Sequence, residues 1–325
     1  MLFRSRCALI HDSPVTGTVR RFSYAELQRE VARLAGVLVS LGVQTGDRVL
    51  VYMPMVPEAV MAMLACARIG AIHSVVFGGF AAHELAVRID DATPVVVLTA
   101  SCGIEPARVV AYKPLLDAAI GMATHQPRHC VVLQRPQLVA DMHSGRDIDW
   151  SEAIAAATPA AYVPVIATHP LYILYTSGTT GQPKGVMHSF GHISDAAEGI
   201  VRAIRITPEE RVLSYLPLAH VFERAYIESA SLVGGGHVFF AESLETFVAD
   251  LQRARPTLFI SVPRLWLKFQ QGVFKKMPPE RLDLLLKFPI IRGLVARKVL
   301  KGLGLDSVRL AGSGSAPIPA ELIAW

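Results

Sequence analysis

Short apolar runs of strand length alternate with longer segments of helical periodicity along most of the chain, and this alternation constrains the fold more than any other feature. The apolar runs lie at residues 48–53, 71–77, 94–100, 129–133, 171–176, 211–216, 237–241, 258–262 and 307–311. Helices are predicted at residues 57–68, 81–91, 108–120, 192–205, 222–233, 244–253 and 264–275. A capping box at Ser23 and Glu26 predicts an earlier helix that ends at Gly42. Strands that alternate with helices predict βαβ units, so we expect an α/β fold of two wound, mostly parallel sheets flanked by helices.

The composition predicts a soluble protein with a large core. Of the 325 residues, 52% are hydrophobic and 18% are charged, which excludes intrinsic disorder, and four cysteines are too few for a small disulfide scaffold. No run reaches the ~18 uninterrupted apolar residues of a membrane-spanning helix. The formal net charge is +5 without a basic stripe interleaved with aromatic residues, so no nucleic-acid partner is expected. The cysteines lack C-x-x-C spacing, which favours free thiols, no zinc site and a cytoplasmic location.

A polar and then alanine-rich segment at residues 141–167 interrupts the alternation. It contains Pro159 and Pro164, and we interpret it as a connection between two subdomains. We therefore expect an N-terminal α/β subdomain at residues 1–167. A second α/β subdomain, incomplete at its C-terminal end, is expected at residues 168–325.

The loop Tyr175–Gly185, with the sequence YTSGTTGQPKG, carries the clearest chemical signal. Its three glycines allow a ligand to approach the backbone, and its hydroxyl and N–H groups can surround phosphate oxygens. Lys184 adds a positive charge for a phosphate. A Walker A loop would need glycine where Pro183 stands, and the G-x-G-x-x-G pattern of dinucleotide-binding folds is absent from the loop. The loop therefore predicts a nucleoside triphosphate as the ligand.

The loop resembles the signature phosphate loop of the adenylate-forming superfamily, which comprises acyl-CoA synthetases, luciferases and the adenylation domains of peptide synthetases. The resemblance implies that a small-molecule carboxylic acid attacks the α-phosphate of Mg·ATP, and that CoA then displaces AMP from the acyl-AMP. It also implies that catalytic Lys184 and the loop hold the β- and γ-phosphates, and that Thr176 helps to ligate Mg²⁺. The loop residues implied to bind nucleotide are Thr176, Ser177, Gly178, Thr179, Thr180 and Gly181.

The segment Leu216–Arg224 (LPLAHVFER) is similar to the superfamily motif whose histidine lies beside the acyl carboxylate. This similarity implies a catalytic role for His220. A lone histidine is more often structural, and only the order of the motifs favours function. Glu223 and Arg224 are interpreted as a pair at the start of a helix.

The segment Gly312–Pro317 (GSGSAP), after a predicted strand, is similar to the adenine-binding loop of the superfamily. The similarity implies that the wall of the adenine site is formed by Ser315, Ala316 and Pro317. The alternative is an ordinary strand-to-helix turn, in which glycine and serine are common.

Arg68–Phe80 and the later SCGIEPAR segment resemble acetyl- and propionyl-CoA synthetases. The resemblance implies that Gly78, Gly79 and Arg108 contact CoA. Glu105 stands where acetyl-CoA synthetases have a second arginine, which weakens the assignment of the nucleotide end of CoA. A helix-capping glycine pair and a solvated arginine are the alternative.

The two halves of the chain resemble different subfamilies. Up to about Val186 the sequence is similar to propionyl-CoA synthetase, and from Met187 onward it is similar to long-chain fatty-acid-CoA ligases. Since the second half would shape much of the acyl pocket, we expect a fatty acid as the substrate, with propionate or acetate as the alternative. The candidate pocket residues are Val221, Phe222, Ile227 and Val262. A long-chain acid would also be compatible with a peripheral membrane contact.

The resemblance implies further elements beyond Trp325, among them a glutamate that completes the Mg²⁺ site, a ribose-binding aspartate and a mobile domain with a catalytic lysine. We therefore expect this chain to be a fragment that does not form acyl-AMP at a useful rate alone. Residues 2–5 also resemble a translated sequencing adapter, so we expect the native start to differ. A non-catalytic nucleotide-binding fragment and a peptide-synthetase adenylation domain are the alternatives.

Overall fold

The computed structural model describes residues 3–76, 78, 81–105, 108–176, 183–241 and 246–325. The strands are β1 Cys7–Ser13, β2 Thr18–Ser23, β3 Arg48–Tyr52, β4 Ile72–Val75, β5 Val96–Ala100, β6 Cys102–Glu105, β7 Arg108–Ala111, β8 His129–Leu133, β9 Asp147–Asp149, β10 Pro170–Thr176, β11 Lys184–Ser189, β12 Arg211–Ser214, β13 His237–Phe240, β14 Leu258–Ser261 and β15 Leu310–Ser313. The helices are α1 Tyr24–Ser40, α2 Pro57–Arg68, α3 Ala82–Ala92, α4 Tyr112–Met122, α5 Trp150–Ala156, α6 Phe190–Ile204, the π-helix Glu223–Ser229, α7 Ala230–Gly234, α8 Phe247–Ala254, α9 Pro263–Lys276, α10 Pro279–Lys287, α11 Pro289–Leu303 and α12 Ala320–Ala324.

Two large sheets organise the chain, and both are mostly parallel. The first has seven strands in the order β11-β10-β4-β3-β5-β8-β9, in which only the β10–β11 pair is antiparallel. The second has four strands in the order β12-β13-β1-β2, in which only β1–β2 is antiparallel. Two-stranded sheets are formed by β14 with β15 and by β6 with β7. The predicted α/β class, with wound and mostly parallel sheets, is confirmed.

Helix α1 shows how the local sequence sets this architecture. The side chain of Ser23 accepts a hydrogen bond from the backbone N–H of Glu26, and the Glu26 carboxylate accepts from the backbone N–H of Ser23. This predicted capping box satisfies two amide groups that would otherwise lack partners at the helix start. Leu34 and Leu38 then face the core and are fully buried, as the 3.6-residue period requires.

Strands from both sides of residue 168 share each large sheet. β10 and β11 join strands β3–β5 in the first sheet, and β12 and β13 join the N-terminal β1 and β2 in the second. The two halves therefore share hydrogen-bonded sheets. The division of the chain into subdomains at residues 1–167 and 168–325 stays a prediction.

Three local predictions differ from the structure. Arg108–Ala111 forms β7 and not the first turn of a helix, because β-branched Val109 and Val110 pair across the hairpin with β6. The segment 141–167 contains β9 and α5, and Asp149 caps that helix by accepting from two backbone N–H groups. Strands β1, β2 and β11 were not predicted, since their polar residues hide the period of two. No helix in the described part of the chain is long and apolar enough to cross a bilayer.

Candidate active site

The two described ends of the predicted phosphate loop face each other in a hairpin. Thr176 ends β10 and Lys184 begins β11, and these two residues are direct partners in the antiparallel ladder. Both are exposed. A hydroxyl and an ammonium group therefore lie together at the base of the loop, where both can donate hydrogen bonds to phosphate oxygens. Five predicted phosphate contacts lie outside the described residues: Ser177, Gly178, Thr179, Thr180 and Gly181.

Helix α3 holds this hairpin in place. The Tyr175 hydroxyl donates a hydrogen bond to the Asp91 carboxylate, and the guanidinium of Arg88 lies 5.4 Å from the centre of the Tyr175 ring. Burial, followed by the bond to Asp91, raises the pKa of Tyr175, so the hydroxyl stays a donor. Gly185 is the partner of Tyr175 across the hairpin, and a Cβ at Gly185 would lie 2.9 Å from Ile173 Cγ2. Glycine at 185 therefore lets the two strands of the hairpin approach closely.

His220 lies in the turn between β12 and the π-helix and is exposed. Its backbone N–H donates to the Pro217 carbonyl at 2.8 Å. Its ring Nδ1 accepts from the backbone N–H of Phe222 at 3.2 Å. A neutral ring that accepts at Nδ1 carries its proton on Nε2. The turn thus presents an N–H donor that can bind a carboxylate or phosphate oxygen.

Glu223 anchors the turn that carries His220. Its side chain is fully buried, and it accepts from the Ser214 hydroxyl at 2.9 Å and from the backbone N–H groups of Tyr215 and Leu216 at 3.1 and 2.8 Å. Burial raises the pKa of Glu223 to about 7, against the opposing effect of these hydrogen bonds. The carboxyl group therefore ties the end of β12 to the start of the π-helix.

Arg224 does not pair with Glu223. Its guanidinium forms an ion pair with Glu228, one turn further along the π-helix, and donates to His73 Nε2 at 2.6 Å. It also lies 4.7 Å from the centre of the Tyr172 ring. Since His73 belongs to β4 and Tyr172 to β10, Arg224 fastens the π-helix to the seven-stranded sheet. The expected Glu223–Arg224 pair is wrong, because consecutive helical residues point in different directions.

The segment directly before His220 packs beside β10, the strand that ends at Thr176. Leu218 and Ala219, directly before His220, line a cleft together with Tyr172, Ile173 and Leu174 of β10. β10 leads directly into Thr176. Residues next to His220 therefore lie beside β10, although 44 residues separate Thr176 from His220 in the sequence, and the approach of His220 to the phosphate loop stays a prediction.

The predicted adenine-binding residues follow β15, in the small β14–β15 sheet. Ser315, Ala316 and Pro317 are all exposed. Ser315 has a φ of +68°, a left-handed conformation that is uncommon outside glycine. This conformation turns the chain sharply after the strand, and the contact of these residues with adenine stays a prediction.

One of the predicted CoA-binding residues, Gly78, is buried against Tyr112, the first residue of α4. A Cβ at Gly78 would lie 1.9 Å from the Tyr112 hydroxyl oxygen. Arg108 is exposed in the adjacent β6–β7 hairpin and forms an ion pair with Glu105 at 2.7 Å. Packing alone thus explains the glycine at 78, and CoA binding by Gly78 and Arg108 stays a prediction. Gly79 lies outside the described residues.

Magnesium binding by Thr176 also stays a prediction. Its hydroxyl is a hard oxygen ligand, which suits Mg²⁺. Within the described ranges, no group of three or more His, Cys, Asp or Glu side chains could hold a metal ion. Mg²⁺ usually binds through one or two carboxylates together with substrate phosphates.

The sequence profile of AMP-binding enzymes matches residues 3–325. The chain belongs to the AMP-binding enzyme family. The predicted superfamily is thereby confirmed. The fold agrees: acetoacetyl-CoA synthetase from Streptomyces lividans superposes with a TM-score of 0.80 at 23% identity, over 99% of this chain and 46% of that protein. At this identity the likeness concerns the fold alone.

Proteins from three organisms are similar to part of this chain. An uncharacterized protein of Pseudomonas aeruginosa is 63% identical over 197 residues, which are 61% of this chain and 31% of that protein. The mitochondrial acyl-CoA synthetase short-chain family member 3 of Homo sapiens is 54% identical over 187 residues, 57% of this chain and 27% of that protein. The propionate–CoA ligase of Escherichia coli K12 is 51% identical over 188 residues, 57% and 30% respectively. The chain spans about a third or less of the length of these curated relatives.

Sequence reasoning missed the two charged residues that support the site of this AMP-binding enzyme. Glu223 and Arg224 were visible only as neighbours of His220. The available signal was that two charged residues sit in an otherwise apolar stretch, where a buried charge requires dedicated partners. Glu223 is bonded mostly by backbone N–H groups of the preceding turn, and Arg224 contacts His73 and Tyr172 of two distant strands as well as Glu228 of its own helix. The contacts with β4 and β10 do not follow from the local sequence.

Proposed function

We propose that this chain is the nucleotide- and acid-binding part of an ATP-dependent, AMP-forming acyl-CoA synthetase. The observation that supports the proposal is that Leu218 and Ala219, directly before His220, lie beside β10, the strand that ends at Thr176. In the proposed site, His220 is the donor for the acid, and Thr176 and Lys184 are donors for the phosphates. Proximity of this kind lowers the entropic cost of bringing a carboxylate and a nucleotide together.

The roles of the residues follow from where charge develops in the reaction. As the carboxylate oxygen attacks the α-phosphate, negative charge accumulates on the departing pyrophosphate. Lys184 and Thr176 donate to the pyrophosphate oxygens, and Mg²⁺ bound with ATP would share that charge. His220 Nε2–H donates to an oxygen of the acid and orients it for attack. CoA, which displaces AMP in the second step, approaches on the side of Gly78 and Arg108.

A fatty acid is the proposed acid. Apolar side chains flank His220: Val221 is exposed, and the rings of Phe222 and Tyr226 stack with centroids 5.0 Å apart. Ile227 is buried behind them and lines an apolar cavity with Leu218. An apolar surface next to the donor for the carboxylate suits an alkyl chain.

Propionate or acetate is the second candidate, and two observations favour it. A propionate–CoA ligase and a short-chain acyl-CoA synthetase are similar to more than half of this chain. The cavity behind Leu218 measures about 20 Å³. This is much smaller than the ~150 Å³ that accommodates benzene in an engineered protein cavity.

Binding of non-reactive acyl-adenylate mimics by this chain tests the proposal and separates the two acids. Acyl sulfamoyl adenosines with propionyl, octanoyl and palmitoyl groups would be titrated by calorimetry, with sulfamoyl adenosine as the reference. Affinity that rises with chain length supports a fatty acid, and highest affinity for the propionyl compound supports the short acid. If none of the three binds more tightly than the reference, the proposed acid site is refuted.

The proposed location is the cytoplasm. All four cysteines are free thiols, and Cys66, Cys102 and Cys130 are buried. Thiols of this kind persist in reducing compartments. Fractionation of cells that express the native gene would test the location, since several relatives carry mitochondrial names.

A further inference from the structure

Helix α11 exposes apolar side chains to an unusual degree. None of its residues is buried, and Ile290 and Leu294 are 89% and 68% exposed. Two further apolar residues are more than half exposed: Leu284 in the preceding helix α10, and Phe288 directly after that helix. Isolated exposed apolar residues are ordinary on a protein surface, but a contiguous group indicates a binding surface.

The exposed face of α11 also carries cations in an ordered arrangement. Residues 290, 294, 297, 298 and 301 follow the i, i+4, i+7, i+8, i+11 spacing of one helical face. The first two turns of this face carry Ile290 and Leu294, and the last two turns carry Arg297, Lys298 and Lys301, all exposed. We call these five residues the α11 face.

Helix α11 itself supplies no acidic partner for the cations of the α11 face. α11 contains four basic residues and no acidic residue. Among the residues that the structure describes, no ion pair engages any of the three cations of the α11 face. By contrast, Arg255 and Arg309 nearby are paired with Asp306 and Glu210. The face therefore combines an apolar end with an uncompensated positive end.

We propose that the α11 face binds the surface of an anionic lipid bilayer. Ile290 and Leu294 enter the boundary between headgroups and acyl chains, and the cations contact lipid phosphates through their long, flexible side chains. A second copy of the chain fits less well, because its α11 face has no acidic group to offer the three cations. A nucleic acid would leave the apolar end without a partner.

Vesicle co-sedimentation of the 325-residue chain tests the proposal. The vesicles are phosphatidylcholine alone and phosphatidylcholine with roughly a third phosphatidylserine, a fraction that gives a negative surface potential. The chain is expected to bind the anionic vesicles and to bind the neutral ones much more weakly. High salt is expected to weaken the binding, because it screens surface charge. The test needs neither ATP nor an acid, so its outcome is independent of the proposed function.

Two variants and one control locate the binding surface. The triple variant R297Q/K298Q/K301Q is expected to lower the partition coefficient by about two orders of magnitude, about fivefold for each cation. The double variant I290S/L294S is expected to lower it at least tenfold on vesicles of unchanged charge. The matched control K268Q/K275Q/K276Q removes three exposed cations of α9 and is expected to lower it less than threefold. Circular dichroism and thermal melting verify that each variant is folded.

Four results would overturn the proposal. One is no binding to anionic vesicles, and another is equal binding to both vesicle types. A third is a loss of binding by the α9 control that matches the loss by the α11 triple variant. The fourth is a concentration-dependent dimer in sedimentation velocity that I290S/L294S abolishes, combined with no vesicle binding, since the face would then join two copies of the chain.

Discussion

Glu223 Oε1 accepts a hydrogen bond from the backbone N–H of Leu216 at 2.8 Å, across the turn that presents His220. The acceptor is a fully buried carboxyl group, and the donor belongs to the first residue of the LPLAH stretch. A buried carboxyl without donors would be costly. Glu223 therefore constrains the turn strongly, and two predictions follow from its protonation and its geometry.

Glu223→Gln is expected to remove a pH dependence of stability. Since burial raises the pKa of Glu223 from 4.5 to about 7, the folded chain holds this proton more tightly than the unfolded chain. The contribution of Glu223 to stability is thus complete below about pH 4.5 and declines as the pH rises through about 7. Glutamine mimics the neutral form, so the variant should exceed the parent chain by roughly 2–3 kcal/mol at about pH 8 and match it at about pH 4.5.

Urea denaturation across this pH range measures the difference. Glu198→Gln, at an exposed position, is the control and should change the free energy of unfolding by less than ~0.5 kcal/mol. A difference between Glu223→Gln and the parent chain that stays constant with pH would show that Glu223 does not titrate in this range.

Glu223→Leu is expected to disturb His220, whereas Glu223→Gln is not. Glutamine keeps Oε1 as the acceptor for the Tyr215 and Leu216 N–H groups, and its amide can donate to Ser214. Leucine has a similar volume but leaves both N–H groups unpaired, at a cost of ~1–3 kcal/mol each. NMR of the histidine Cε1–H signals reports the change: the His220 signal should move only in the leucine variant. An unmoved His220 signal in a folded Glu223→Leu chain would disprove the anchoring role.

The parts of the candidate site that could be predicted from the sequence are those that depend on residues close together in the chain. Thr176 and Lys184 lie in one glycine-rich loop, and their residue types alone indicate a phosphate ligand. Helix α2 and strand β8 were predicted with their observed bounds, since periodicity, proline at a helix start and apolar runs are local signals. The family match then confirmed the superfamily, and the roles of the individual residues stay predictions.

The features that could not be predicted from the sequence depend on contacts between residues far apart in the chain. β1 pairs with β13 more than 200 residues away, and its register cannot be deduced from either strand alone. Arg224 meets His73 across 151 residues, so a local pairing with Glu223 was the wrong expectation. Strand β7 was missed because a strand of four residues shows too little periodicity to compete with the helical pattern that follows.

Arg224→Met is expected to destabilise the chain strongly, and Arg224→Met/Glu228→Leu less so. Both side chains are over 90% buried, and burial raises the pKa of Glu228 while Arg224 opposes this effect. Removal of Arg224 alone leaves a buried carboxyl without its partner, which costs ~3–5 kcal/mol. Replacement of both partners by apolar side chains removes that penalty. Urea denaturation of Arg224→Met, Glu228→Leu and the double variant gives the coupling energy between the two side chains. If the double variant loses as much free energy of unfolding as the two single variants together, the pairing is contradicted.

Gly78→Ala and Gly121→Ala are expected to have opposite effects. A Cβ at Gly78 would overlap the ring and the hydroxyl of Tyr112. The Tyr112 ring stacks in turn on the Tyr52 ring, with centroids 5.0 Å apart. The clash should cost ~1–3 kcal/mol. Gly121, in α4, has no atom within 4 Å of an added Cβ, and alanine there should stabilise the helix by ~0.5–1 kcal/mol. Thermal melting of both variants distinguishes the two, and a neutral Gly78→Ala would mean that packing does not require this glycine.

Lys184→Gln is expected to weaken ATP binding by this chain about tenfold to a hundredfold. A charge-assisted hydrogen bond to a phosphate contributes roughly 1.5–3 kcal/mol, and Lys184 lies at the base of the loop opposite Thr176. Lys275→Gln, which removes an exposed cation of α9, is the matched control and should leave the affinity within twofold of the parent chain. The loss should be larger for ATP than for AMP, since Lys184 is assigned to the β- and γ-phosphates and AMP has neither. Equal losses for ATP and AMP in calorimetric titrations would place Lys184 elsewhere on the nucleotide.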